Sequence, residues 1–259
     1  MPIEPPRSGW VLPDVRSLPD GQELVAVGAD LSPGMLLAGY RHGLFAMPEG
    51  SLLGWWSPDP RGILRPADVR VSRSLRRSLR RFSVSIDTCF DAVVAGCADP
   101  ARPHGWISSE YRRSYRQLHR LGWAHSIEVW DGSRLAGGLF GVEVGGLFAA
   151  ESKFHVVRDA SKVAVVALAD LLAADHSDPR FVDVQWCTPH LASLGVAEVP
   201  RATYLGMIER ALALPPVLDR HDPGAQPVGT GSQGVVAGSE GLVAESEGAP
   251  PSRITWRRP

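Results

Sequence analysis

Polar and apolar residues alternate along Ser126-Ile127-Glu128-Val129-Trp130 and along Phe82-Ser83-Val84-Ser85-Ile86, the period of two that a half-buried strand requires. Two further β-type runs, Leu135–Val144 and Leu147–Ala150, come after the first of these. Asp131-Gly132 precedes them and Gly145-Gly146 divides them, dipeptides that supply the positive φ angles of tight hairpin turns. The stretch therefore predicts a meander. Phe181–Trp186 is another strand, and Asp183 and Gln185, two apart, share one of its faces.

Elsewhere the spacing is helical. Leu31–Gly43 carries Ser32 as an N-cap, Pro33 at the first helical position and Gly43 as a left-handed stop. Ser72–Arg81 places Leu75 and Leu79 four apart among arginines, a narrow apolar stripe on a cationic helix. Phe90, Val93, Val94 and Cys97 recur at helical spacing. Ser108-Ser109-Glu110 opens a helix with Tyr111, Tyr115 and Leu118 turned inward and His119 as satisfied structure. Asp159-Ala160-Ser161-Lys162 caps a helix whose apolar positions run through Val163, Val166, Ala167 and Leu171 to Ala174. Thr188–Leu194 and Arg201–Leu214 complete the folded part. Residues 1–20, rich in proline, read as an extended arm laid on the body. Residues 215–259, rich in Gly, Ser, Pro, Val and Glu without periodicity, read as a disordered tail. Trp55 and Trp56 enter a proline-punctuated turn on an extended segment, so their rings point to opposite sides, one into the core and one free to act as a platform.

The 259 residues are 44% hydrophobic and 21% charged, enough for one large domain or a large and a small one. No run of about 18 apolar residues occurs and no basic-then-apolar leader opens the chain, so the expectation is a cytoplasmic protein without membrane contact. Cys89, Cys97 and Cys187 fit no metal spacing and read as incidental thiols. A nucleophilic Cys187 beside His190 is the sharper alternative, but no oxyanion-hole motif accompanies it. Net charge is −1, yet Arg61, Arg65, Arg70, Arg73, Arg76, Arg77, Arg80 and Arg81 face the single acid Asp68 between residues 61 and 81. Such a stripe suits phosphate docking; a solvated helix face is the plainer reading of charge alone.

The apolar run that ends at Ala150 gives way at once to Glu151-Ser152-Lys153-Phe154-His155, ionisable groups at a strand end. Together with several other segments this resembles the leucyl/phenylalanyl-tRNA–protein transferase family. The motifs are LVAVGADLS at residues 24–32, WWSPDPR at 55–61, VSRSLRRSLRR at 71–81, AHSIEVWDG at 124–132, GGLFG at 137–141, Glu151-Ser152, DASK at 159–162 and HLASLG at 190–195. They fall in family order from about residue 20 to 214.

The resemblance implies an α/β (α+β) fold: a small N-terminal domain, residues 1–66, then a domain like that of the GNAT acyltransferases, residues 67–214, with a mixed, largely antiparallel sheet. The activity it implies is transfer of Leu, Phe or sometimes Met from aminoacyl-tRNA to the N-terminal Arg or Lys of a protein, marking it for degradation, by a monomer that needs no cofactor or metal. In the site it implies, Glu151 lies near the reacting groups and Asp183 and Gln185 form the family's Asp-x-Gln pair. A neutral amide is a poor base, so Gln185 is read as positioning and stabilising charge, oriented by Asp183. By the same correspondence one of Trp55 and Trp56, together with Trp106, stacks on the terminal adenosine. Leu139, Phe148 and Val182 line the donor pocket, and Arg73, Arg76, Arg77, Arg80 and Arg81 meet the tRNA. Two departures stand out: Ala46-Met47-Pro48 replaces the family's Pro-Trp-Phe, and Lys153 replaces the usual pocket Met. The Lys153 stem is expected to lie on the pocket wall with its ammonium reaching Glu151 or solvent. The rival readings are an acetyl-CoA-dependent N-acetyltransferase, for which no pyrophosphate loop leads into a helix, and a non-catalytic tRNA-binding module.

Overall fold

Proline-rich as it is, the N-terminal arm is held to the body, as expected: Ile3 N donates to Leu121 O at 2.7 Å, Trp123 Nε1 donates to Ile3 O at 2.8 Å, and Arg41 grips Glu4 with two nitrogens. These contacts come from a computed structural model that describes residues 1–19, 21–101, 105–173 and 179–218. After the arm come strand β1 (Leu24–Val27), helix α1 (Pro33–Arg41), and strands β2 (Phe45–Glu49) and β3 (Leu52–Trp56). Gly43 has φ +79°, and the helix stops just before it. The three strands form a small antiparallel sheet in the order β1-β3-β2.

Strand β4 (Arg61–Leu64) then leaves this sheet and joins a larger one, with all four of its residues buried. Helix α2 (Arg73–Arg81) comes next, capped by Ser72 Oγ, which accepts from Leu75 N at 3.2 Å. After it stand β5 (Ser83–Ile86), α3 (Phe90–Cys97) and α4 (Ser109–Arg120). The meander is present as β6 (Ala124–Asp131), β7 (Arg134–Val144) and β8 (Leu147–His155), turning at Gly132 and Gly145 with φ near +63°. Helix α5 (Ala160–Ala173) crosses back; Ala174, its expected end, lies outside the described residues. Strand β9 (Phe181–Gln185), the short α6 (Pro189–Ala192), β10 (Ala197–Val199) and α7 (Arg201–Ala211) finish the fold.

The large sheet runs β10-β4-β9-β8-β7-β6-β5, mixed but largely antiparallel as the resemblance implies: only β8 and β9 are parallel. Helix α5 covers one face, packing on Ile127, Val129, Leu139, Phe148 and Val182. On the other face, α1, α3, α4 and α7 enclose Phe140, Val142, Leu147 and Phe181, and Phe45 and Trp55 of the small sheet join the same core. The two sheets therefore share one apolar interior. Pro215–Leu218, assigned to the tail by composition, pack on the sheet instead: Leu218 is buried, and the Glu143 carboxylate accepts from Val217 N and Leu218 N at 2.7 and 2.9 Å. The rest of that segment, 219–259, lies outside the described residues.

Candidate active site

The parallel pair β8–β9 is hydrogen-bonded only through Leu147↔Phe181, Phe148↔Val182 and Ala149↔Asp183. Beyond Ala149 and Asp183 the strands part. At that point β8 also carries a bulge: Gly141 pairs with Ala150 and Phe140 with Ser152, so Glu151 is an extra residue with no partner on β7. The bulge sets the parity of the rest of β8, because directly paired residues share a face. Lys153 opposite Leu139 is thereby turned to the α5 side. A cavity of about 210 Å³ opens there, walled by Leu139, Val165, Leu168, Val182, Val184 and Leu191, with Glu151, Ser152, Lys153 and Gln185 on its rim.

Glu151 is half-buried, and its carboxylate accepts hydrogen bonds from two phenols, Tyr40 OH at 2.8 Å and Tyr115 OH, which are themselves 3.1 Å apart. Burial pushes the carboxyl up, the two phenols pull it down, and Asp183 pushes it up again, leaving it at about 7. Such a carboxyl is poised to exchange a proton at neutral pH. The two phenols are driven well above their usual range, by burial first and the Glu151 charge second, so they act as donors.

Asp183 is almost fully enclosed and fully engaged. Arg61 Nε and Nη2 meet its two oxygens at 2.9 and 2.7 Å, Tyr204 OH donates to Oδ2 at 2.7 Å, and the main-chain N–H of Gln185 donates to Oδ1 at 2.9 Å. Arg61 lies between the rings of Phe45 and Tyr204, 4.8 and 4.4 Å from their centroids, and donates to Gly43 O at 3.2 Å. Burial opposes its charge most strongly, but Asp183, Tyr204 and Glu151 together outweigh that and hold the guanidinium above its usual range. Asp183 thus orients Gln185 through the backbone, which takes a left-handed φ of 62° that non-glycine residues seldom adopt. In the orientation that satisfies its neighbours, the Gln185 carboxamide nitrogen donates to Ala150 O at 3.1 Å and Val184 O at 3.0 Å. The side chain thus bridges the gap where the β-ladder fails.

The aromatic residues divide. Trp55 is 1% exposed, its ring against Gly39 and its Nε1 on Gly28 O, so it is the core partner of the pair and offers no stacking face. Trp56 is half-buried, edge-on to Trp186 at 6.2 Å. Trp106 is also half-buried, edge-on to Tyr111 and Tyr115 at 5.1 and 6.5 Å, and so stands beside the Glu151 phenols. Leu139 and Val182 wall the cavity, whereas Phe148 is 0% exposed and packs against Gly141 of β7. His119 is structural, as expected, stacked on Phe90 at 4.1 Å with Nδ1 2.8 Å from Ala124 O. Burial and then Glu198 raise the Cys187 thiol, which weakens it as a nucleophile.

On α2, Leu75 is buried, whereas Arg73, Arg76, Arg77 and Arg80 are exposed and make no ion pair among the described residues. Arg81 differs, because it is paired with Asp131 and lies 5.1 Å over Phe82. Tyr40, Tyr115, Arg61 and Tyr204 complete the site, and nothing in local sequence marked them: Tyr40 and Glu151 are 111 residues apart.

A sequence model described as leucyl/phenylalanyl-tRNA protein transferase matches residues 63–209, and one for the N-terminal domain of that protein matches residues 29–59. The leucyl/phenylalanyl-tRNA–protein transferase of Aromatoleum aromaticum is 49% identical over 74% of this chain and 82% of its own length. Those of an Anaeromyxobacter species and of Legionella pneumophila are 47% and 41% identical, over 82% and 80% of this chain and 92% and 94% of their own lengths. A GCN5-related N-acetyltransferase from Kribbella flavida aligns with TM-score 0.35 and 11% identity over 64% of this chain and 60% of that one. By sequence, then, the chain belongs to the leucyl/phenylalanyl-tRNA–protein transferase family.

Proposed function

We propose that this aminoacyltransferase moves leucine or phenylalanine from charged tRNA onto the N-terminal Arg or Lys of acceptor proteins, with Glu151 and Gln185 serving the attacking amine. The observation that carries the reading is the pair of polar groups, one poised near neutrality and one a carboxamide fixed on two main-chain carbonyls, on the rim of an apolar cavity. A dry cavity of about 150 Å³ holds benzene, so 210 Å³ suits a leucyl or phenylalanyl side chain. Apolar walls sort such side chains by only about 1–3 kcal/mol per methylene, consistent with two donors.

The acceptor arrives as an α-ammonium and must shed a proton before it attacks the ester carbonyl. Glu151, ionised above about pH 7, takes that proton, and Gln185 Oε1 accepts a remaining N–H and aims the lone pair. The new amide C–N bond forms as the ester C–O bond breaks, and the ribose hydroxyl leaves with a proton returned to it. Trp106 and Trp56, the half-buried rings beside the site, are the platforms for the terminal adenosine.

The test is single-turnover transfer from labelled Leu-tRNA and Phe-tRNA to an Arg-initiated peptide between pH 5.5 and 9. The rate should rise through about pH 7 as Glu151 ionises, with a second rise near 8 from the peptide amine. Glu151→Gln should lose the first limb, and Gln185→Ala should lower the rate by about 10². Label moving from acetyl-CoA rather than from tRNA would instead support an acetyltransferase, and a profile identical in wild type and Glu151→Gln would remove Glu151 from the chemistry.

A further inference from the structure

Two lysines and two histidines gather on one side of the cavity rim. Val165 and Leu168 of α5 line the cavity, and Lys162 stands three residues before Val165 on the same helix face. Lys153 is a rim residue, brought to the α5 side by the bulge at Glu151. Leu191 closes another wall and carries His190 beside it. His155, the last residue of β8, turns toward α5, where Ser161 Oγ lies 3.3 Å from its Nδ1. These groups share a neighbourhood: Lys153, Lys162 and His155, after burial, depress the pKa of His190. The nearby carboxylate, Asp159, is engaged by Lys162 at 3.5 Å and by Ser78 Oγ at 3.0 Å. Lys153 and Lys162 are the only lysines in a chain that otherwise uses arginine.

An apolar donor side chain has no use for two ammonium groups and two imidazoles, but the nucleotide that delivers it does. Its 5′-phosphate lies within one nucleoside of the ester. We infer that Lys153, Lys162, His155 and His190 form an anion site that holds the phosphate of the donor's terminal nucleotide while the aminoacyl side chain enters the cavity. The assignment rests on the aminoacyl-transfer reading and deepens it. The ammonium groups of Lys153 and Lys162 and phosphate oxygens form charge-assisted bonds about twice as strong as neutral ones; both lysines are half-buried, which limits competition from water, and the exposed His155 and His190 add N–H donors at the edge. The site also continues outward: the Ser78–Asp159 bond fastens α2 beside the rim, so its exposed arginines are next in line for phosphates further along the acceptor strand. An acidic donor side chain is the competing occupant, disfavoured because the apolar walls would strip its water.

The test is calorimetric binding of a non-hydrolysable phenylalanyl-adenosine amide with and without a 5′-phosphate. In the wild type the phosphate should tighten binding by about tenfold or more, and Lys153→Met and Lys162→Gln should each remove most of that gain. A variant with Arg76, Arg77 and Arg80 reversed to Glu should keep the gain while binding whole charged tRNA more weakly. The assignment is overturned if the two ligands bind the wild type equally, if the gain survives in both lysine variants, or if a glutamyl-adenosine amide binds better than the phenylalanyl one. Failure of charged tRNA to transfer would strike the activity reading alone, since the phosphate gain is read without turnover.

Discussion

Glu151 is a carboxyl that folding makes harder to ionise. Its pKa is about 7 in the folded protein against 4.5 for the free side chain, so the unfolded chain is the stronger acid and ionisation favours unfolding. Glu151 therefore costs nothing below about pH 4.5, and stability falls as pH rises through 7, by on the order of 3 kcal/mol in total. In Glu151→Gln that fall should be missing. Urea midpoints at pH 5 and pH 8 measure it as the difference between the two proteins, which cancels Glu128, Glu143 and His125, whose pKa values are also raised. Equal pH dependence in both would mean that the carboxylate is better solvated than its phenol partners imply. The residue proposed to serve the amine is therefore a standing cost to the fold, which is the usual position of a group tuned for proton transfer.

Among the elements, α2 carries the most direct test. Reversing Arg76, Arg77 and Arg80 should leave the fold intact, because Leu75 makes the buried contact, and should reduce the slope of log affinity for tRNA against log salt by about 0.7–0.9 per lost phosphate contact. An unchanged slope would remove this helix from the tRNA interface. Periodicity disclosed most elements, including α2, the meander and α5, since each is long enough to repeat its pattern. It did not disclose β4 and β10, four and three residues long, which are shorter than any pattern can establish. The strand β2 was hidden by Pro48, tolerable because β2 is an edge strand. At the site, Glu151, Asp183 and Gln185 were legible as polar groups where apolar strands end. Tyr40 and Tyr115 looked like packing residues of two amphipathic helices, because their convergence on one carboxylate is a long-range fact. Arg61 could not be told from the arginines at 65–81, although it is enclosed with an acid and they are not buried.

For the molecule as a whole, the large sheet is closed at the β7–β8 turn by the end of α7 and the short segment beyond it. Arg180 donates to Pro215 O at 2.8 Å, Gly146 N donates to Ala211 O at 2.7 Å, and Glu143 holds two amides of the last described turn. Ending the chain at Leu214 would leave Glu143, 1% exposed, without those donors. A loss of about 1–3 kcal/mol is expected for the unsatisfied carboxylate, measured by urea unfolding against the full chain; an unchanged midpoint would show that water replaces the two amides at no cost. At the other end of the molecule, Arg61 joins the small sheet to the catalytic face, and it does so through the main-chain carbonyl of Gly43 and the ring of Phe45. Every sequence presents a main-chain carbonyl. Side chains reinforce the joint, since Tyr40 donates to Glu151 and Phe45 and Trp55 enter the common core; the first 58 residues of another family member grafted here should dock and support transfer provided they keep these rings. The glycine adds a backbone requirement, because φ +79° is a conformation that residues with a side chain rarely adopt. Gly43→Val in an otherwise native chain should accordingly lower both the urea midpoint and transfer, through the strained backbone whose carbonyl Arg61 holds.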